Sequence, residues 1–150
     1  MLGIRNFDPA AMAALRHEAG LGVKELAARL EVFHPNVVAW ERGRVQPSPR
    51  HLVRIAGALG VEPWRLTSTT PGEAELADLR AWAGMTIADV SVATGMPPDT
   101  YSKVERALRP LGPDRAARIA AAFGADRAAV EDAYRRTKAA GPGRSRPDAR

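Results

Sequence analysis

Shifted by 64 positions, this chain falls onto itself. The shift maps Leu15 to Leu79, Arg16 to Arg80, Ala19 to Ala83 and Gly20 to Gly84. Without a gap it goes on to map Glu41 to Glu105, Arg42 to Arg106 and Pro49 to Pro113. Arg54 then falls on Arg118, Ile55 on Ile119 and Gly60 on Gly124. Identities that stay in register over so long a stretch mark two copies of one structural unit. A length of 150 residues would otherwise favour a single domain. The repeat instead predicts two small domains, at 1–66 and 74–137, each near the lower size limit for an independent core.

Each copy reads as a run of short helices. Asp8-Pro9 is a cap followed by proline at the first helical position, which predicts a helix over Pro9–Ala19 that Gly20 ends. Val23, Leu26, Ala27 and Leu30 share one face of a second helix, Val23–Leu30. Pro35 opens a third that Gly43 closes, and Ser48-Pro49 starts a fourth with Leu52, Ile55, Ala56 and Leu59 as its buried stripe. Glu62–Leu66 makes a short fifth. The polar, turn-rich segment 67–73 (TSTTPGE) is the linker.

The second copy repeats the plan. Helices are expected over Glu73–Ala83, over Ile87–Thr94 capped by Thr86, from Pro98 to Arg106, over Pro113–Phe123, and from Asp126 to about Thr137. That last helix outlasts its counterpart, so its extra length is available to pack elsewhere. Residues 138–150 are basic, lack apolar periodicity, and are expected to be a disordered tail.

Composition narrows the function classes. There is no cysteine, so no disulfide or thiolate metal site exists. His17, His34 and His51 are scattered, without carboxylates at ligand spacing. No phosphate-binding glycine loop or nucleophile with its base is present, so neither an enzyme nor a cofactor nor a small-molecule ligand is expected. No apolar run approaches a membrane span and the N-terminus lacks a signal pattern, which predicts a cytoplasmic, nucleoid-associated protein without a membrane partner. The arginine-, alanine-, glycine- and proline-rich composition points to a GC-rich bacterial genome. The net charge of +5 is unevenly spread. Residues 1–70 carry nine Lys/Arg against six Asp/Glu, residues 71–136 nine against ten, and residues 137–150 four against one. The first copy and the tail therefore suit a polyanion, and the second copy does not.

Five short helices with a tight turn between the second and third form a helix-turn-helix layout. LRHEAGLGVKELAARLEV, VVAWERGRVQPSP and LVRIAGALGVEPWRL in the first copy resemble the lambda repressor/Cro-like (XRE-type) helix-turn-helix family. LRAWAGMTIADVSVATGM, YSKVERALRPLGP and ARIAAAFGADRAAV carry the same resemblance in the second, and together these matches cover about residues 10–135. The resemblance implies an all-α fold of two tandem five-helix lambda-repressor-like domains. It also implies that Arg16 with Glu41, and Arg80 with Glu105, form the family's internal salt bridge. By spacing, Leu26, Val37, Trp40, Ile55, Val90, Tyr101, Val104 and Ile119 are core.

For function, the resemblance implies that the second helix grips a phosphate at its N-terminus while the third enters the major groove. In the first copy this points to His34 and Asn36 as groups that can hydrogen-bond bases or phosphates, flanked by Lys24, Arg42, Arg44 and Arg50 on the backbone. In the second it points to Thr86, Ser102, Lys103, Arg106 and Arg109, with Asp99 facing phosphates at a cost. The expected partner is double-stranded DNA and the expected role transcriptional regulation. The alternative is a protein-interaction module: Phe33, Val38 and Ala39 on one exposed face would suit a second copy of the chain or another regulator.

Overall fold

Local caps set the helix starts. The Asp8 carboxylate accepts from the Ala11 N–H at 3.1 Å and Pro9 follows, so α1 runs Pro9–Glu18. α2 (Val23–Leu30) and α3 (His34–Glu41) are joined by a turn in which Glu31 takes a left-handed conformation, φ 56°. Ser48 accepts from the His51 N–H at 3.2 Å and starts α4 (Pro49–Leu59). The expected fifth helix is a single 3-10 turn, Pro63–Leu66. The second copy is built from α5 (Leu76–Trp82), α6 (Ile87–Thr94), α7 (Pro98–Glu105), α8 (Gly112–Phe123) and α9 (Arg127–Ala140). The computed structural model describes residues 4–141, and among these the only extended pairing is an isolated bridge between Phe7 and Thr67.

Each copy closes on its own apolar core. Met12, Leu26, Leu30, Val37, Leu52, Ile55 and Leu66 are fully buried in the first, and Leu76, Val90, Tyr101, Val104, Ile119 and Val130 in the second. An arginine–carboxylate fork ties the first helix to the third in both. Arg16 donates from Nε and Nη2 to Glu41 at 2.7 and 2.8 Å, and from Nη1 to the Leu21 carbonyl at 3.0 Å. Arg80 makes the same fork to Glu105, at 2.5 and 3.3 Å, and reaches the Met85 carbonyl at 3.0 Å. The second fork is the drier one: the Tyr101 hydroxyl also donates to Glu105, whose side chain is 1% exposed against 11% for Glu41.

The extra length of α9 stays within its own copy, packed on α5 and α8. Thr137 accepts from the Leu76 N–H at 3.1 Å, Arg136 donates to the Ala74 carbonyl, and the Tyr134 hydroxyl donates to the Arg109 carbonyl. Residues 138–140, expected in the disordered tail, are helical; the rest of the expected tail lies outside the described residues.

The segment read as a linker does not hang free. Asp8 N–H donates to the Leu66 carbonyl, Ser68 N–H to the Asn6 carbonyl, and Asn6 Nδ2 to the Thr69 hydroxyl. Thr67 and Thr69 are buried. A short 3-10 turn at Pro71–Glu73 then delays α5, which starts three residues later than the sequence suggests. Arg5 reaches that start: it pairs with Glu75 at 2.6 Å and with Asp78 at 2.9 Å. Burial pushes the Asp78 carboxyl above the usual carboxylate range, and the Arg5 charge opposes the shift. α5 packs on α4, with Ala81 inside the first core and Trp82 against it. Gly84 (φ +73°) lies so close that a Cβ there would stand 3.0 Å from Val53 Cγ2.

Candidate nucleic-acid interface

α3 buries Val37 and Trp40 and leaves the opposite face open. His34, Pro35 and Asn36 are exposed, Val38 and Ala39 are half-buried, and Phe33 just before the helix is 83% exposed. The chain then runs through exposed Arg42, Gly43, Arg44, Val45 and Gln46 to the capped start of α4, where Arg50 is exposed. His51 anchors that start. Its Nδ1 lies 3.0 Å from the Ser48 hydroxyl and its ring stands 5.2 Å from that of Trp40. Burial, with the charges of Arg54 and Arg50, holds the His51 pKa below its usual value.

Lys24, in the first turn of α2, is exposed as well. None of Lys24, Arg42, Arg44 and Arg50 forms an ion pair among the described residues. Arg50 acts electrostatically on Asp89 of the second copy. The other three carry charge that no neighbouring carboxylate is shown to offset, beside a helix face that no other element covers. That arrangement suits a polyanion.

The second copy presents the same scaffold with its charges already engaged. Lys103 pairs with Asp99 one turn earlier on α7, Nζ to Oδ2 at 2.9 Å. The Lys103 hydrogen bond and charge, with the charges of Arg109 and Arg106, hold the Asp99 carboxyl below its usual range. Arg106 turns back to the Ser102 carbonyl at 3.4 Å, and Arg109 to the Thr100 hydroxyl at 3.4 Å. Ser102 is half-buried. Arg109 also faces an open cleft of about 410 Å³ with Arg115 and Arg118, beside the turn Gly95–Pro97. Arg118 is tied there to Asp114 at 2.8 Å.

The start of α6 is closed by its own side chains. Thr86 accepts from the Asp89 N–H at 3.1 Å, and the Asp89 carboxylate accepts from the Thr86 N–H at 2.8 Å. This capping box places a carboxylate where a phosphate would approach. Hydrogen bonding of the Asp89 carboxyl to the Thr86 backbone and side chain also holds it below its usual range. The Thr-x-x-Asp spacing was legible in the sequence, where Thr86 is read as a phosphate contact and Asp89 passes unremarked. In the first copy the equivalent closure is weaker: Gly22 N–H donates to Glu25 Oε1 at 3.4 Å.

No group of histidine and carboxylate side chains among the described residues has the arrangement to hold a metal ion. No helix among them is long and apolar enough to cross a membrane. No curated protein and no solved structure matches the chain. A family model described as a helix-turn-helix domain matches it twice, over residues 10–66 and 74–133. Together those segments cover most of the sequence and coincide with the two copies that the repeat and the two cores define. The chain thus belongs to the helix-turn-helix domain family of the XRE/Cro-like type, and it carries that domain in tandem.

Proposed function

We propose that this chain is a sequence-specific regulator of transcription that reads double-stranded DNA mainly through its first copy. α3 enters the major groove, with His34 and Asn36 toward base edges and Val38 and Ala39 toward thymine methyls. Arg42, Arg44, Arg50 and Lys24 contact phosphates. The observation that carries this reading is the exposed, unpaired state of Lys24, Arg42 and Arg44 beside an uncovered α3. In the second copy Arg106 and Arg109, whose hydrogen bonds go to uncharged groups, supply flanking backbone contacts, while Lys103 held by Asp99, Thr86 held by Asp89 and half-buried Ser102 contribute less.

The test is selection from a random duplex pool followed by binding measured against salt. Arg42→Ala/Arg44→Ala should lower the slope of log affinity against log salt by about 1.8, two phosphate contacts at ~0.9 each. Lys103→Ala/Arg106→Ala should lower it by less than half as much. No salt-sensitive binding of the wild type to any duplex would sink the reading.

One observation favours a second reading. Phe33 at 83% exposure and Val45 at 56% flank the reading helix, and large apolar groups so open suit a protein surface. Under that reading Phe33→Ser abolishes a protein partner and leaves duplex binding intact.

A further inference from the structure

Two copies of one fold can meet in two ways. A two-fold axis makes each contact twice, whereas a head-to-tail junction makes it once and leaves one unused face at each end. Here α4 of the first copy packs on α5 of the second, and there is no comparable packing of α8 on α1. Since α5 is the counterpart of α1, and α8 of α4, the junction is head to tail.

Its residues confirm that it is made once. On the second copy's side it uses Glu75, Asp78, Ala81, Trp82 and Asp89. The 64-residue offset puts Ala11, Ala14, His17, Glu18 and Glu25 at those positions of the first copy. On the first copy's side it uses Arg5 of the N-terminal arm together with Arg50 and Val53 of α4, and the counterparts of the last two on α8 are Asp114 and Ala117. Ala14, His17 and Glu18 on one outer face, and Asp114 and Ala117 on the other, are exposed. If a second chain docked on this one by the same geometry, Asp114 would meet Glu25, like charge on like charge. Glu18 would stand in place of Trp82, which packs against the first core, and Ala117 in place of Val53, which lies against Gly84. Polar outer faces are how arrays of repeats are ended, and Glu18 and Asp114 give these two outer faces that character.

We infer that the chain engages its duplex as a single chain, on a site that has direction and no internal dyad. The inference rests on the DNA-binding reading above. Inverted half-sites mirror a protein two-fold axis, and the junction between these copies has none. The two reading faces are also unequal, which gives the site a strong end under α3 and a weak end under α7.

The experiment combines sedimentation of the free full-length chain with sequencing and stoichiometry of the duplexes it selects from a random pool. The expected results are one chain at every concentration, one chain per bound duplex, and an enriched motif without inverted symmetry. Two chains per duplex, an inverted repeat, or a dimer in the free protein would overturn the inference. Absence of binding to every duplex would overturn the DNA-binding reading instead, and the sedimentation of the free chain would still decide the end-stopped arrangement. Glu18→Trp/Asp114→Arg/Ala117→Val, which copies the inner junction onto the outer faces, should make the chain associate end to end. Failure of that variant to associate, with its helix content unchanged, would show that those residues are not what stops the array.

Discussion

α3 and α7 stand at equivalent positions on equivalent scaffolds, and they offer a polyanion opposite welcomes. Around α3, Lys24, Arg42 and Arg44 are open and make no ion pair among the described residues; on α7, Lys103 is held by Asp99, and the charges of Arg106 and Arg109 act on the same carboxylate. The α2 start is loosely closed by Glu25, whereas the α6 start is firmly closed by Asp89. The cores are alike, and the arginine–carboxylate forks share a geometry and differ in burial. In this pair the scaffold therefore fixes where the third helix sits, and one or two acidic residues decide whether the basic side chains beside it stand unpaired.

The contrast can be broken most forcefully at the forks. Glu105→Ala strands a buried arginine and should cost about 3–5 kcal/mol in urea unfolding. Glu41→Ala, at a wetter fork, should cost about 2 kcal/mol. Equal losses would mean that the two scaffolds are energetically the same. The first helices differ next: α5 begins on Glu75 and Asp78 held by Arg5, where α1 has Ala11 and Ala14.

Arg5→Ala should therefore cost about 2 kcal/mol at neutral pH and less near pH 4, by chemical unfolding at each pH. The sign follows from Asp78, whose folded pKa is raised by burial. Such a group favours folding below its unfolded pKa and loses that benefit as pH rises through the folded value. Removing Arg5 enlarges the rise, so a loss independent of pH would contradict the assignment.

Gly20 and Gly84 give a finer contrast. Both have positive φ, but a Cβ at Gly20 meets nothing within 4 Å, whereas one at Gly84 meets Val53. Ala at either position carries the conformational cost of about 1 kcal/mol. Gly84→Ala should lower the melting temperature further, and parity would mean that the junction yields easily. The smallest effect is expected from Asp99→Asn, which releases Lys103. Duplex affinity at low salt should rise a few-fold and the salt slope should steepen by about 1. No change would show that α7 lies away from DNA whatever its charge.

What was legible in the sequence was what is local. The Val23–Leu30 stripe, the Ser48-Pro49 cap and the glycine stops each predict an element from neighbouring residues, and α2 and α4 run over the predicted spans. The fifth element of the first copy contracts to a 3-10 turn because Pro63 starts it and only the four residues Pro63–Leu66 fit before Thr67, which is bridged to Phe7. Nothing in TSTTPGE announces pairing with residues 6–8, since the contact is an isolated bridge of one residue on each side and leaves no alternating pattern to read. The junction was hidden for a related reason. The offset shows Trp82 where α1 has Glu18, but a difference between copies does not say which surface covers the tryptophan. At the site, the residue types are readable and their engagement is not: the sequence offers Lys103 as a DNA contact, and its pairing with Asp99 is visible only in the structure.

The N-terminal arm has a consequence for how the chain is made. Synthesis delivers the N-terminus first, and domains commonly fold as they emerge. Here Phe7 and Asp8 wait for Thr67 and Leu66, Arg5 waits for Glu75 and Asp78, and the first core waits for Ala81. The contacts of the first copy are therefore complete only once the first helix of the second has followed it out of the ribosome. A messenger cut at the repeat boundary would yield a product with an uncovered side, so the pair is the smallest length of this chain that can be translated into a finished surface.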